Sequence, residues 1–416
     1  MKILFTGPFE GFSGFSVAAR SMLKALNHQK ADLVARTLQY DIADPGTEYK
    51  VEKWLDDLLV RPLQDIDMLI QCTTPNVEAV PKPGICNGIY TFIETDRIPS
   101  YWVNQLNQFN FVLVSSKYNA WAMGRSGVNV PILVLPVPFD SDRLKIEDDE
   151  PLIKAEGRTI FYNINQLSGK KGIDLLLRAY FSAFADKPDE VLLVLKTYIN
   201  MANRANDHQI IKQFIDKIKQ GCRLPIQKYP PIQLITRTMS ESDIQRIHRD
   251  CDCYVNSSHT EGYGLPVFDA LAHGNMVITN SYGGLAEFVG DQNALIYGGT
   301  ESHCFDMNSP DPAHFTGMSR WFEPSTVQIS DLMRLYYELK IGHERGVLDE
   351  HNQKQWESIE IRRANGITVT KSFDYREASG KIIHQIYAAY NTWKEFGIVK
   401  FANPAFSGID EGGNLQ

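Results

Sequence analysis

Cysteine is scarce: six in 416 residues, with no C-x-x-C pair. Cys251-Asp-Cys253 is too tight for the usual zinc spacing, so the thiols are expected to be reduced and mostly buried. No apolar run approaches the roughly 18 residues of a membrane span. Ile3-Leu-Phe5 is only a short run before Thr6, which fits a first strand rather than a signal peptide. The expectation is a soluble, cytoplasmic protein. Positive charge is also in deficit, with 42 Lys and Arg against 50 Asp and Glu and a net charge of −8. That balance argues against general binding to nucleic acid or anionic membranes through the overall field. There is no low-complexity tract and no close internal repeat, and no histidine lies between His28 and His208. What is present is a 43% hydrophobic chain, long enough for two or three domains.

Short apolar strands alternate with longer helical segments. Strand candidates are 2–7, 32–38, 67–72, 88–92, 111–115 and 132–137, with helices over 16–27, 49–59, 100–108 and 117–126. Runs such as Phe111-Val-Leu-Val114 fit strands buried on both faces of a parallel sheet. Residues 139–158 are polar and charged and read as a linker. Alternation resumes with strands from 159, and over 191–196, 232–236, 253–257, 276–279 and 294–297. Helices are read over 173–185, 208–220, 241–250 and 267–273, with Ser240 as an N-cap. The fold class is therefore α/β, with two doubly wound, Rossmann-like domains in tandem. Such sheets bind ligands beyond the carboxyl ends of their strands, so the chemistry belongs in the strand-to-helix loops around a central cleft.

The strongest motif is Ser257-Ser-His-Thr-Glu-Gly-Tyr-Gly-Leu-Pro-Val-Phe-Asp-Ala-Leu-Ala-His-Gly274. A strand ends at its start, and a helix opens near Pro266, where a missing N–H costs nothing. Gly262 and Gly264 permit close backbone approach, and N–H groups at the helix start attract phosphate. Glu261 and Asp269 flank that site. Acids beside phosphate need hydrogen-bond donors of their own, and sugar hydroxyls supply them. The ligand that fits is a nucleotide sugar. A second segment, Asn163-Ile-Asn-Gln-Leu-Ser-Gly-Lys-Lys-Gly-Ile-Asp174, offers Lys170 and Lys171 to a diphosphate leaving group, or forms a solvated charged turn. Its spacing excludes a P-loop.

The first segment resembles the signature of retaining family-4 glycosyltransferases of the GT-B fold (glycosyl transferases group 1). That signature has two acids eight positions apart around a Gly-aromatic-Gly-Leu-Pro core. In this chain Asp269 stands where the family usually has Glu, and Gln166 where it often has Arg. The resemblance implies that Glu261 holds donor-sugar hydroxyls near the reacting face and that Lys171, with Lys170, stabilises the leaving diphosphate. It places Gln166, Gly262, Tyr263, Gly264, Leu265 and Asp269 on the donor. A third segment, Asn280-Ser-Tyr-Gly-Gly-Leu-Ala-Glu-Phe288, adds Gly283, Gly284, Leu285 and Glu287. Glu287 bonds ribose or caps the turn.

From the first domain, the loop Gly7-Pro-Phe-Glu-Gly-Phe-Ser-Gly14 brings Gly11, Ser13 and Gly14 toward the donor and acceptor. Thr91-Phe-Ile-Glu-Thr-Asp-Arg97 brings Glu94, Thr95 and Asp96 to the acceptor side, unless the two acids form a local cap and ion pair with Arg97. Asp65-Ile-Asp67 resembles a metal-binding pair, but it precedes a strand and faces away from the cleft; no metal and no cofactor are expected. His259 is a cleft or a structural residue. Arg204–Lys228, with six Lys and Arg against two Asp, is a solvated face or a landing patch for an anionic acceptor.

The implied division is 1–145 for the acceptor domain, 146–375 for the donor domain, and 376–416 for a helix crossing back plus a polar tail. The implied activity is retaining transfer from a nucleotide-diphosphate sugar to a glycan or lipid-linked hydroxyl. Alternatives are a modified base in DNA as acceptor, an epimerase, or a nucleotide-sugar-binding protein without transfer.

Overall fold

Twelve parallel strands form two six-stranded sheets in the computed structural model, which describes residues 1–38, 49–75, 79–146, 148–199, 206–226, 228–305, 315 and 317–399. The first sheet holds β1 (Lys2–Gly7), β2 (Asp32–Thr37), β3 (Met68–Cys72), β4 (Cys86–Tyr90), β5 (Phe111–Val114) and β6 (Ile132–Val134). Its order is β2-β1-β3-β4-β5-β6. The second holds β7 (Thr159–Ile164), β8 (Val191–Lys196), β9 (Ile232–Ile235), β10 (Cys253–Val255), β11 (Met276–Thr279) and β12 (Leu295–Ile296), in the order β12-β11-β10-β7-β8-β9. Every residue of β3, β4, β5 and β8 is buried, as two-sided cover by helices requires.

The helices of the first domain are α1 (Gly14–His28), α2 (Lys53–Leu59), α3 (Ser100–Leu106) and α4 (Lys117–Ser126). Those that follow are α5 (Ile173–Ala183), α6 (Asp207–Cys222), α7 (Glu241–Asp250), α8 (Leu265–Ala272), α9 (Thr326–Glu344), α10 (Glu350–Lys371) and α11 (Tyr375–Phe396). Short polar side chains start several of them. Ser13, Ser116 and Ser240 accept from the N–H of Ser16, Asn119 and Asp243. Two elements were not foreseen. One is α10, whose apolar residues are too sparse to read as one face. The other is an antiparallel hairpin of β13 (Gly299–His303) and β14 (Arg320–Pro324).

The stretch read as a linker is not a loose tether. Phe139 and Asp140 are buried, and Ser141–Leu144 form one 3-10 turn. Phe139 N–H donates to Phe373 O at 2.7 Å, and Tyr375 N–H to Phe139 O at 2.8 Å, so the two chain crossings between the domains are zipped together. Aromatic rings fill that joint: Phe268 lies 5.1 Å from Phe139, 4.9 Å from Phe288 and 5.6 Å from Phe373, centroid to centroid. Beyond the joint, α11 packs on α1 and β4 of the first domain. The polar tail from 403 onward and Arg204 lie outside the described residues.

All six cysteines are free thiols. Asp67 sits at the amino end of β3, accepting from Lys2 N–H at 2.8 Å and from the Tyr390 hydroxyl at 3.1 Å. Among the described residues, no helix is long and apolar enough to cross a membrane.

Candidate active site

The second sheet reverses its order between β7 and β10, because β8 and β9 extend to one side and β11 and β12 to the other. The loops leaving β7 and β10 therefore diverge and open a crevice between them. Lys170 and Lys171 lie on the first loop, Glu261 on the second. Lys171 Nζ donates to Glu261 Oε2 at 2.7 Å, and the Ser258 hydroxyl donates to Glu261 Oε1 at 2.7 Å. The carboxylate is thus fixed from both oxygens.

The first domain adds Glu94, just past β4. Lys170 Nζ donates to its Oε2 at 2.6 Å, and Lys171 Nζ stands 4.0 Å from its Oε1. Two acids and two ammonium groups thus alternate across the cleft. Burial works against the Lys171 ammonium, but Glu261 and Glu94 outweigh it and hold its pKa above the ordinary lysine value. The ring of Phe315 lies 5.3 Å from Lys170 Nζ.

Glycines let these loops lie against one another rather than against open space. A Cβ on Gly284 would fall 2.1 Å from Gly262 O, and one on Gly172 would fall 2.2 Å from Ser257 O. Gly264, at φ +91°, precedes α8 in a conformation that favours glycine. Gly283 lies against Glu261 O, and Gly284 N–H donates to that carbonyl at 3.0 Å.

Several of the expected donor-side residues have partners within the protein. The Tyr263 ring turns into the joint, packed on Phe288, with its hydroxyl donating to Val137 O at 3.3 Å. Leu285 is buried against Gly264. Gln166 gives its side-chain amide to Ile199 O at 2.9 Å, clamping the loops after β7 and β8. Asp269 is buried, and Arg143 from the linker turn grips it at 2.8 Å and 3.4 Å. Burial pushes the Asp269 carboxyl up, and Arg143 offsets only part of that. Arg143 also donates to Glu241 at 2.6 Å, and Gln245 donates to both acids. Glu287 Oε2 accepts from Lys117 N–H, at the start of α4 across the cleft, at 3.1 Å.

On the first domain, Ser13 caps α1, Gly14 approaches Leu265, and Gly11 O accepts from Arg20 at 2.7 Å. Thr95 is buried, its hydroxyl donating to Arg97 O at 2.7 Å. Asp96 is held by partners within the protein, Arg97 Nε among them at 3.8 Å. It takes Arg320 N–H at 2.6 Å and Arg125 Nη1 at 3.2 Å, and so ties the β13–β14 hairpin to the first domain. The His259 ring stacks on Trp321 at 4.4 Å, and its backbone N–H donates to Lys170 O at 2.8 Å. In the basic stretch, Lys219 faces Asp216 at 3.8 Å, and Lys228 pairs with Asp189, as on a solvated face.

The sequence reading did not single out Ser258, Arg20, Arg143, Glu241 or Gln245. Ser258 carried a usable signal, three residues before Glu261 in the same loop. The others come together only through the packing of α1, α7, α8 and the linker turn.

No curated protein matches this sequence. Among solved structures, HepE of Anabaena, in complex with UDP and glucose, is similar at TM-score 0.61 and 13% identity, over 93% of this chain and all of that one. Trehalose-6-phosphate synthase of Burkholderia multivorans gives 0.62 and 11% over 96% and 99%. The E. coli protein bound with UDP-2-fluoro glucose gives 0.62 and 11% over 93% and 99%. Residues 226–303 match the family model for glycosyl transferases group 1, within a chain whose two facing parallel-sheet domains have the fold of GT-B glycosyltransferases.

Proposed function

We propose that this protein is a retaining glycosyltransferase that moves a sugar from a nucleoside-diphosphate sugar to the hydroxyl of a glycan or lipid-linked acceptor. The observation that carries the reading is the Glu94–Lys170–Lys171–Glu261 array, set where the carboxyl ends of two parallel sheets face each other. The second domain holds the donor and the first the acceptor. Lys170 and Lys171 take the charge that develops on the departing diphosphate, the main electrostatic demand of the reaction. Glu261, held by Ser258 and Lys171, accepts hydrogen bonds from donor-sugar hydroxyls.

In the transfer, the bond from the anomeric carbon to the diphosphate oxygen breaks and its electron pair leaves with the diphosphate. The bond to the acceptor oxygen forms on the same face. The acceptor proton passes to the departing phosphate oxygen. No side-chain nucleophile enters this scheme, and the two lysines supply the positive charge at the leaving group.

The first test is a thermal-shift panel of nucleotide sugars, beginning with UDP-glucose because two structurally similar proteins were solved with UDP or a UDP-sugar. Binding raises stability by RT ln(1 + [L]/Kd), so a true donor stands out from the others. Incubation with sugar acceptors and analysis of the anomeric configuration follows. A panel in which no nucleotide sugar stabilises the protein would sink the reading, and an inverted product would remove its retaining part.

A further inference from the structure

This inference rests on the reading above and concerns Ser115 and Asn119 of the first domain. Ser115 follows β5. Asn119 lies in the first turn of α4, where its N–H donates to the Ser116 hydroxyl at 3.1 Å. Both side chains are fully buried. The Ser115 hydroxyl crosses to the second domain and donates to Gly262 O at 3.1 Å, with Asn119 Oδ1 sharing its proton at 3.3 Å. Asn119 Nδ2 donates to Ile93 O at 2.9 Å. Ile93 immediately precedes Glu94, and Gly262 immediately follows Glu261. One buried pair of side chains therefore holds the backbone beside both acids of the array. The two loops also touch directly: a Cβ on Gly262 would lie 3.1 Å from Phe92 Cβ and 3.3 Å from Ile93 O.

Ion pairs across the cleft fix charge but tolerate movement, because a lysine carries its charge on a flexible stem. A short, buried serine and asparagine bonded to backbone carbonyls tolerate little, since a buried carbonyl that loses its donor is costly. With the donor on one domain and the acceptor on the other, the distance between the reacting atoms depends on how the two loops are set. A misplacement of about 1 Å is enough to cost about a hundredfold in rate. We propose that Ser115 and Asn119 are positioning residues for the transfer: they set the loop of Glu94 against the loop of Glu261, and so bring the acceptor hydroxyl to bonding distance of the anomeric carbon. They act through the loops they hold, not on the substrates. The donor side has its own supports. Ser258 and Lys171 hold the Glu261 carboxylate, and Gly284 N–H donates to Glu261 O at 3.0 Å, all within the second domain. Loss of the Ser115 bond therefore leaves the donor loop in place and releases its alignment with the first domain.

The test separates alignment from donor binding, which a merely structural pair would move together. In Ser115→Ala of the full chain, affinity for UDP, GDP or ADP, measured by calorimetry, is expected to stay within about twofold of wild type, while kcat for transfer falls about a hundredfold. With the nucleotide sugar that stabilises the wild-type chain, the share of donor lost to water instead of passed to the acceptor is expected to rise. Asn119→Asp exchanges the donor to Ile93 O for an acceptor and is expected to give the same split. Should Ser115→Ala unfold, Ser115→Cys keeps the volume and a weak donor, and is expected to show the split at about tenfold in kcat. Unchanged transfer in the Ser115 variants overturns the inference, as does a loss of nucleotide affinity as large as the loss of kcat, or loss of the fold in both Ser115 variants. Each of these leaves the transferase reading intact. If the wild-type chain binds none of the three nucleotides and no nucleotide sugar, the transferase reading fails and this inference falls with it.

Discussion

Lys171 and Glu261 are 90 residues apart in sequence and 2.7 Å apart in space. They meet because β7 and β10 are neighbours at the point where the second sheet reverses its order. The loops they carry are the two that such a sheet leaves open to a ligand.

Each of these residues is expected to be needed for transfer. Lys171→Ala and Glu261→Ala should each lower turnover by about a hundredfold or more. Because they act as one unit, the double variant is expected to lose much less than the product of the two single losses. Steady-state rates of the three variants check this, and near-normal turnover in both single variants would remove the site assignment.

Arg143 is expected to matter for stability before anything else. It is the shared cation of Glu241 and Asp269, and Arg143→Ala leaves both acids without it in a mostly buried joint. A loss of roughly 3–5 kcal/mol is expected from an uncompensated buried charge. Arg143→Lys keeps the charge but not the planar fork, so an intermediate loss is expected. Urea unfolding midpoints rank the three proteins, and an alanine variant as stable as wild type would contradict the pairing.

The loop that carries Glu261 depends on a missing side chain. The methyl group of Gly284→Ala would lie 2.1 Å from Gly262 O and 2.9 Å from Tyr263 N. Either the backbone gives way or the protein loses roughly 1–3 kcal/mol, as in other overpacked positions. In both cases nucleotide binding is expected to weaken. Calorimetry and thermal melting read the two effects, and an unaffected variant would show that these loops are not packed as described.

Acid should destabilise the protein through two stacked histidines. Burial holds His273 down from 6.5 to about 4, with Arg143 and Arg249 adding to the effect. Burial, His273 and Arg143 hold His248 well below 6.5, and the rings stack at 5.5 Å. The unfolded chain takes up protons near pH 6.5 that the folded chain refuses, so stability is present above that pH and is lost as pH falls toward 4. For His273 the loss amounts to at most roughly 3 kcal/mol. Denaturation midpoints at pH 7 and pH 5 are expected to differ less in His273→Gln than in wild type. An equal pH dependence in the two would rule out His273 as a source.

The strands of both sheets were legible because burial on two faces leaves continuous apolar runs, such as Phe111–Val114 and Val191–Leu195. The hairpin of β13 and β14 was not, since its first strand, Gly299–His303, is mainly exposed and carries no apolar alternation. Glu261 and the lysines were legible from local patterns of glycine and charge after a strand. The same patterns did not say that the Tyr263 ring turns toward Phe288 or that Gln166 reaches Ile199 O, because a local pattern puts a residue in a loop without saying which way its side chain turns.

By itself the sequence determined two α/β domains and the glycines and charged residues of their strand-to-helix loops. Strand burial, helix caps and glycine-dependent turns are short-range matters, decided over a few neighbouring residues. Only the tertiary structure decided which charges became partners: Glu94 with the lysines, Arg143 with Asp269, Glu287 with the start of α4, and Asp96 with the hairpin. Those pairings cross from one domain or element to another. They depend on how two separately built sheets are set face to face, which no local pattern encodes.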